Sequence, residues 1–133
     1  MKRPHNPAIY AGRRTEKGVF VEVGEGARPR PLNPRLDLGN HSPAGFDWGY
    51  GGSGPAQLAL ALLADATGAD AQAVHLHRAF KWAVTARIPQ DLAAWTLTAE
   101  DVLAWVDREA ERDATAARIL GALQPLDEAE VLS

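Results

Sequence analysis

The sequence of 133 residues contains no cysteine, which excludes disulfide bridges, thiol nucleophiles and zinc sites with thiolate ligands. Long apolar runs are also missing. The longest, from Leu58 to Ala64, is too short to cross a bilayer, and the first residues lead into no apolar signal segment. We therefore expect one soluble, cytoplasmic domain that depends on its own hydrophobic core and does not enter a membrane.

The net charge of the chain is also small, at −3, but the charges are unevenly distributed along it. Residues 1–40 carry +4, residues 41–90 are neutral and residues 91–133 carry −7. The basic first part could attract nucleic-acid phosphates, but the larger acidic charge opposes that attraction at long range. Nucleic-acid binding is thus weakly supported, and the divided charge suits either a protein partner or ordinary solvated faces.

Short β-branched and aromatic segments near the start predict a hairpin. Residues 8–11 and 18–23 flank a polar turn, and every second residue from Val19 to Val23 is a valine, as in a strand with one buried face. Residues 28–42 contain three prolines and predict a loop held to the core by leucines. Phe46–Trp48 is a candidate third strand.

Glycine, proline and capping residues divide the remaining chain into helices. Ser53 as N-cap, Pro55 in the first turn and Gly68 as a stop predict a helix over residues 55–67 that is apolar nearly all round and therefore central. A second helix is predicted over residues 71–88. A third begins at Thr98, which precedes a carboxylate by three residues as in a capping box, and can continue to residue 123.

These elements predict an α+β fold, with a small N-terminal β-hairpin or three-stranded sheet packed on three to four α-helices. Residues 8–123 are expected to form a single domain. Residues 1–7 are expected to be a flexible arm, and residues 124–133 an acidic, flexible tail.

The glycine-rich run before the central helix is the main candidate site. A helix N-terminus presents free N–H groups and partial positive charge, and glycines let the backbone fold closely around an anion. The run lacks the Lys-Ser/Thr pair of a phosphate-binding P-loop, so nucleotide hydrolysis is not expected. Architecture, anion or nucleotide binding, and a surface for a partner protein remain the alternatives. The candidate ligand-binding residues are Trp48, Tyr50, Gly51, Gly52, Ser53, Gly54 and Lys81.

Histidines offer a second, weaker set of candidates. His41 and Asp47 could serve a small enzyme, although loop capping by these polar neighbours is the simpler interpretation. His75 and His77 are two residues apart on a predicted helix and so point in different directions, which argues against a shared metal ion. We expect no metal site, no cofactor and no catalytic residue, and the pattern leaves the oligomeric state open.

The segment from His41 to Leu63, with the core GFDWGYGGSGPAQLALA, resembles an uncharacterised bacterial and phage family, the domain of unknown function DUF6166. Supporting motifs occur in the same order, at Tyr10–Arg13, at Phe80-Lys81 and at Trp95–Thr98. The resemblance spans residues 8–107. It implies no established activity, cofactor or catalytic residue. Relatives on phage and plasmid genomes imply an accessory or host-interaction role, and this favours a non-enzymatic protein over the small enzyme that His41 and Asp47 could serve.

Overall fold

A computed structural model describes residues 3–25 and 28–126 of the chain. Within these residues the chain forms the α-helices α1 (Ser53–Thr67), α2 (Asp70–Phe80) and α3 (Ala99–Ala122), and a single π-helical turn, Lys81–Thr85, follows α2 directly. The strands are β1 (Ile9–Thr15), β2 (Gly18–Gly24), β3 (Arg30–Pro31) and β4 (Ala94–Thr98). They form one antiparallel sheet of order β3-β2-β1-β4. The predicted α+β class is confirmed.

The sheet has four strands, one more than the larger of the two predicted sheets. The hairpin of β1 and β2 is as predicted, with Ile9 opposite Gly24 and Thr15 opposite Gly18. β4 pairs with the other side of β1, and the two-residue β3 pairs with β2. The prediction of a strand over residues 46–48 was wrong. The backbone N–H groups of Trp48 and Gly49 instead donate to the Asp47 side chain and to the Thr85 carbonyl, outside any ladder.

Helix α1 lies at the centre of the domain, as predicted, because twelve of its fifteen residues are buried. It begins at Ser53, two residues earlier than predicted. The N-cap is Gly52, in an extended conformation, and Ser53 is therefore the first helical residue and not the cap. Gly68 ends the helix in the left-handed conformation, with a φ of 64°, as its lack of a Cβ allows.

Helix α2 is shorter than predicted and gives way to the π-helical turn after Phe80. In this turn the Ala86 N–H donates to the Lys81 carbonyl at 2.8 Å, five residues back. Thr85 is fully buried, and its hydroxyl donates to the Pro55 carbonyl at 2.9 Å. Tertiary hydrogen bonds to α1 and to the preceding loop thus end the regular helix before Pro89.

Helix α3 begins at the predicted cap, since the Thr98 hydroxyl accepts from the Asp101 N–H at 3.1 Å. Its first turns pack on α1, and from Asp107 onward nearly all of its side chains are exposed. Near the N-terminus, Arg3 pairs with Asp107 at 2.7 Å. Most of the predicted acidic tail, residues 127–133, lies outside the described residues. None of the helices in the described part of the chain has the length and hydropathy needed to cross a bilayer.

Candidate functional site

A cavity of about 330 Å³ opens beside the N-terminus of α1, and we refer to it as the α1 cavity. Four of its lining residues are basic or titratable to a cation, and none is acidic. The lining comes from the loop before α1, from the first helical residues and from the junction of α2 with the π-helical turn. The lining residues are His41, Gly51, Gly52, Ser53, Ala56, His77, Arg78, Lys81 and Trp82.

Two histidines meet in the wall of this cavity. His77 Nε2 lies 3.0 Å from His41 Nε2, and His77 Nδ1 lies 2.7 Å from the Val74 carbonyl oxygen. A carbonyl can only accept, so His77 Nδ1 carries a proton and donates it to Val74. In the neutral pair, His77 Nε2 therefore accepts and His41 Nε2 donates, which leaves His41 Nδ1 as a free lone pair. The pair can take up one further proton and still keep a hydrogen bond between the rings.

The cavity is electrostatically unfavourable for an additional cation. Partial burial lowers the pKa of His41 below its ordinary value, and the neighbouring His77 together with the cationic Arg78 and Lys81 lowers it further. In the described part of the chain, no carboxylate pairs with Arg78 or Lys81. A bound anion would relieve this concentration of positive charge.

The start of α1 adds backbone donors to the same cavity. The first intrahelical bond runs from the Ala56 N–H to the Gly52 carbonyl at 3.2 Å, so the N–H groups of Ser53 and Gly54 have no carbonyl behind them in the helix. Of these two residues, only Ser53 lines the cavity. Pro55 has no N–H to offer. The Ser53 side chain is exposed and makes no capping hydrogen bond, which leaves its hydroxyl directed to solvent or ligand. The start of α1 thus adds little to the positive character of the cavity, most of which comes from the basic side chains.

The wall formed by α2 and the π-helical turn is fixed to α1 and to the loop before it by two hydrogen bonds at Thr85. Its carbonyl accepts from Gly49 N at 3.0 Å and its hydroxyl donates to the Pro55 carbonyl. Just ahead of Thr85 in the chain, the Lys81 ammonium lies 4.3 Å from the centroid of the Trp82 ring. The edge of this ring packs on Gly51 so closely that a Cβ there would collide with it.

Gln57 fixes the loop that carries His41. Its side chain is fully buried in α1, and its oxygen accepts from the backbone N–H groups of His41 at 2.8 Å and Ser42 at 3.1 Å. Its amide nitrogen donates to the carbonyls of Pro34 at 2.6 Å and Gly39 at 2.9 Å. One polar side chain in an apolar helix therefore determines the path of the loop beside the cavity.

The structure brings some of the predicted ligand-binding residues into the cavity and leaves others outside it. Gly51, Gly52, Ser53 and Lys81 are part of the lining, as is the secondary candidate His41. The remaining predicted residues, Trp48, Tyr50, Gly54 and Asp47, are not.

The predicted residues outside the cavity make contacts elsewhere in the fold. Trp48 is fully buried, with the Arg14 guanidinium 4.6 Å from its ring centroid and the Trp95 ring in an edge-on contact. Asp47 pairs with Arg14 at 2.8 Å and accepts from the Tyr50 hydroxyl at 3.2 Å. The aromatic residues of the glycine-rich run thus serve mainly to position the backbone.

His41 and Asp47 have separate partners. The imidazole of His41 contacts His77, and the carboxylate of Asp47 holds Arg14 and Tyr50. The two residues are not hydrogen-bonded to each other, so the described part of the chain shows no nucleophile–base constellation at this pair. The same part of the chain contains no group of three or more His, Cys, Asp or Glu residues able to hold a metal ion.

The sequence did not reveal three residues that shape the site: Gln57, His77 and Arg78. A signal for Gln57 was present, because a polar residue in a helix that is apolar all round must be hydrogen-bonded when buried. For the basic residues, the signal was helical spacing. His77 and Arg78 lie one turn before Lys81 and Trp82, so all four share a face of the α2 segment.

Larger grooves exist but offer different chemistry. One groove of about 620 Å³ lies on the open face of the sheet and is lined by apolar residues together with Glu22 and Glu25. Its lining contains no basic side chain, so an anion has no partner there. The smaller α1 cavity is therefore the better candidate for a site that recognises a charged group.

Fold and site together define a small α+β domain with a basic cavity at the start of its central helix. The comparison with protein families places it further. The chain belongs to DUF6166, a family of unknown function, whose model matches residues 10–108. The comparisons with curated proteins and with solved structures found no match. Residues 10–108 include the whole lining of the α1 cavity, whereas the exposed end of α3 lies beyond the match.

Proposed function

We propose that this domain binds a small anion of the phosphate or sulfate type in the α1 cavity. The observation that carries the proposal is the absence of acidic residues among nine lining residues that include His41, His77, Arg78 and Lys81. Uncompensated positive side chains close to one another are unfavourable unless a negative group joins them. The helix start supplies backbone N–H groups and a partial positive charge in the same place.

The expected contacts follow from the chemistry of the lining. The Arg78 guanidinium offers paired donors that match two oxygens of a tetrahedral anion, and the Lys81 ammonium offers a point charge. The Ser53 hydroxyl and N–H serve a third oxygen. The His41–His77 pair can add a donor when it takes up a proton. These roles require binding alone and no chemical step.

Thermal unfolding in sulfate or phosphate tests the proposal. We expect both anions to raise the Tm of the domain above its value in chloride at equal ionic strength, because a ligand that binds only the folded state stabilises it. Arg78→Gln and Lys81→Gln should each weaken anion binding by about tenfold, as expected for loss of a charge-assisted hydrogen bond. Ser53→Ala should weaken it less.

The matched control is Lys17→Gln, which removes a lysine from the exposed turn of the hairpin. It changes the net charge by the same amount as Lys81→Gln but does not alter the cavity. The proposal fails if neither anion shifts the Tm of the native domain, or if the double variant of Arg78 and Lys81 responds to sulfate as the native domain does.

A further inference from the structure

Trp82 is an exposed aromatic residue at the rim of the α1 cavity. Its exposed fraction is 58%, whereas Trp48 is fully buried and Trp95 and Trp105 pack partly buried against the core. A large indole left open to water beside a binding cavity presents apolar area that a ligand can cover. No such area is needed to hold a bare phosphate or sulfate ion.

The indole of Trp82 is also held in place. Its edge packs on the Gly51 backbone, one residue before the N-cap of α1, and the Lys81 ammonium lies against the ring. The adjoining turn is attached to the start of α1 through Thr85. The flat ring and the anion-binding groups are therefore neighbours in a fixed arrangement, because Gly51 under the ring is separated from Ser53 by a single residue.

We propose that the anion bound in the α1 cavity is the phosphate of a nucleotide, whose base stacks on Trp82. This inference rests on the anion-binding function proposed above. The volume of about 330 Å³ is at the small end of the range for ligand pockets, which suits a mononucleotide with its base at the rim. Every nucleobase has a flat face that stacks on tryptophan, so the contact does not select among bases.

Lys81 links the two halves of this ligand. Its ammonium lies next to the indole and also lines the cavity, so it can contact the phosphate while the base covers the exposed ring. Arg78, one helical turn before Trp82, lies on the same face and also lines the cavity, so its guanidinium can bind the phosphate together with Lys81. The nucleoside part requires no acidic partner, which agrees with the absence of carboxylates in the lining.

Isothermal titration with AMP, ribose 5-phosphate and adenosine tests the inference. In the native domain we expect AMP to bind about tenfold more tightly than ribose 5-phosphate, because stacking adds to phosphate binding, and adenosine to bind much more weakly than AMP. Trp82→Ala should reduce the ratio of AMP to ribose 5-phosphate affinity to about one. Trp82→Phe should retain part of the ratio, because it keeps a ring.

Phe20→Ala is the matched control, since Phe20 is an exposed aromatic residue of β2 outside the cavity lining, and it should leave the ratio unchanged. Circular dichroism of each variant shows whether α2 and the fold are intact. Equal affinities for AMP and ribose 5-phosphate in the native domain, or a ratio that survives Trp82→Ala, overturn the inference about the base.

The same titrations separate this inference from the proposed function. If sulfate, phosphate and ribose 5-phosphate bind but AMP has no advantage, the anion site stands and the stacking role falls. If adenosine binds as tightly as AMP, the phosphate contributes nothing and both are overturned.

A further titration identifies the source of the nucleotide. The same phosphate and base could come from a free mononucleotide or from the end of a nucleic-acid strand. A tetradeoxyadenylate with a 5′-phosphate, compared with the same strand without it, distinguishes these sources. Tighter binding of the phosphorylated strand than of AMP identifies a strand end, and equal or weaker binding identifies the free nucleotide.

Discussion

Replacing Gln57 by leucine tests how much of the domain depends on one buried amide. Leucine has a similar volume and suits the apolar surroundings of α1, so the change removes hydrogen bonds without opening a large cavity. The side chain of Gln57 makes four hydrogen bonds to the backbone of residues 34–42, two as acceptor and two as donor. All four backbone partners lose their bond in Gln57→Leu.

The expected cost follows from these bonds. A hydrogen bond between uncharged groups contributes about 1 kcal/mol net, so the loss of four predicts a decrease of about 4 kcal/mol in the free energy of unfolding. Small domains have a total of about 5–15 kcal/mol, so this single change should remove a large part of the stability. At low pH, Gln57→Glu should lower the free energy of unfolding less than Gln57→Leu does, because a protonated carboxyl can still donate one hydrogen bond.

Urea unfolding followed by tryptophan fluorescence measures the effect, with a shift of the midpoint at constant slope. Gln72→Leu is the control, because it makes the same chemical change at a half-buried position of α2 whose side chain has no hydrogen bond in the described part of the chain. A loss below about 1 kcal/mol in Gln57→Leu would refute the argument that this amide holds the loop. Weaker sulfate binding should accompany the loss, because the same loop carries His41.

Three further predictions concern separate features of the molecule. Gly49→Ala should destabilise the domain by several kcal/mol, about 3 or more, in urea unfolding, because φ is +89° there and a Cβ would lie 2.5 Å from the Gln90 Cα. Sulfate should bind more tightly as the pH falls from about 8 to about 5. The pKa of His41 is lowered in the free protein, and a bound anion should raise it, so anion binding takes up a proton. His41→Gln should flatten this dependence, and an affinity that is equally pH-independent in both proteins would contradict it. Thr98→Ala should cost about 1 kcal/mol, measured by urea unfolding, through loss of the cap on the Asp101 N–H, and an unchanged midpoint would speak against that cap.

Local signals predicted the parts of the fold whose hydrogen bonds are local. The alternating valines of β2, the glycine that ends α1 and the hydroxyl that caps α3 each act within a few residues. The structure confirms the hairpin, the central helix and the third helix on that basis.

The missed elements depend on distant partners. β4 is a short strand whose ladder partner, β1, lies more than 80 residues earlier in the chain, and β3 has only two residues, one of them the edge-tolerated Pro31. The early end of α2 has the same origin, because Gly49 and Pro55 hydrogen-bond to Thr85 across the fold. No pattern within residues 71–88 specifies those bonds.

The sequence predicted where the candidate site lies but not the full set of residues that line it. The glycine-rich run located the start of α1, and the predicted residue Lys81 lies in the lining of the same cavity. Which other basic side chains would join it depended on how α2 packs against α1, and periodicity alone does not determine that angle. The aromatic residues Trp48 and Tyr50 were grouped with the ligand site because they are close in sequence. In the structure Trp48 is buried against Trp95, Tyr50 hydrogen-bonds to Asp47, and neither residue lines the α1 cavity.

The two hydrogen bonds of Thr85 bear on how fast an anion would bind and dissociate. They join the π-helical turn to α1 and to the loop before it, so two sides of the α1 cavity are already connected in the unliganded protein. The proposed association of an anion with the cavity should therefore occur in a single step, at a rate set by diffusion and by the attraction between opposite charges. Differences in affinity among related anions should lie mainly in their dissociation rates.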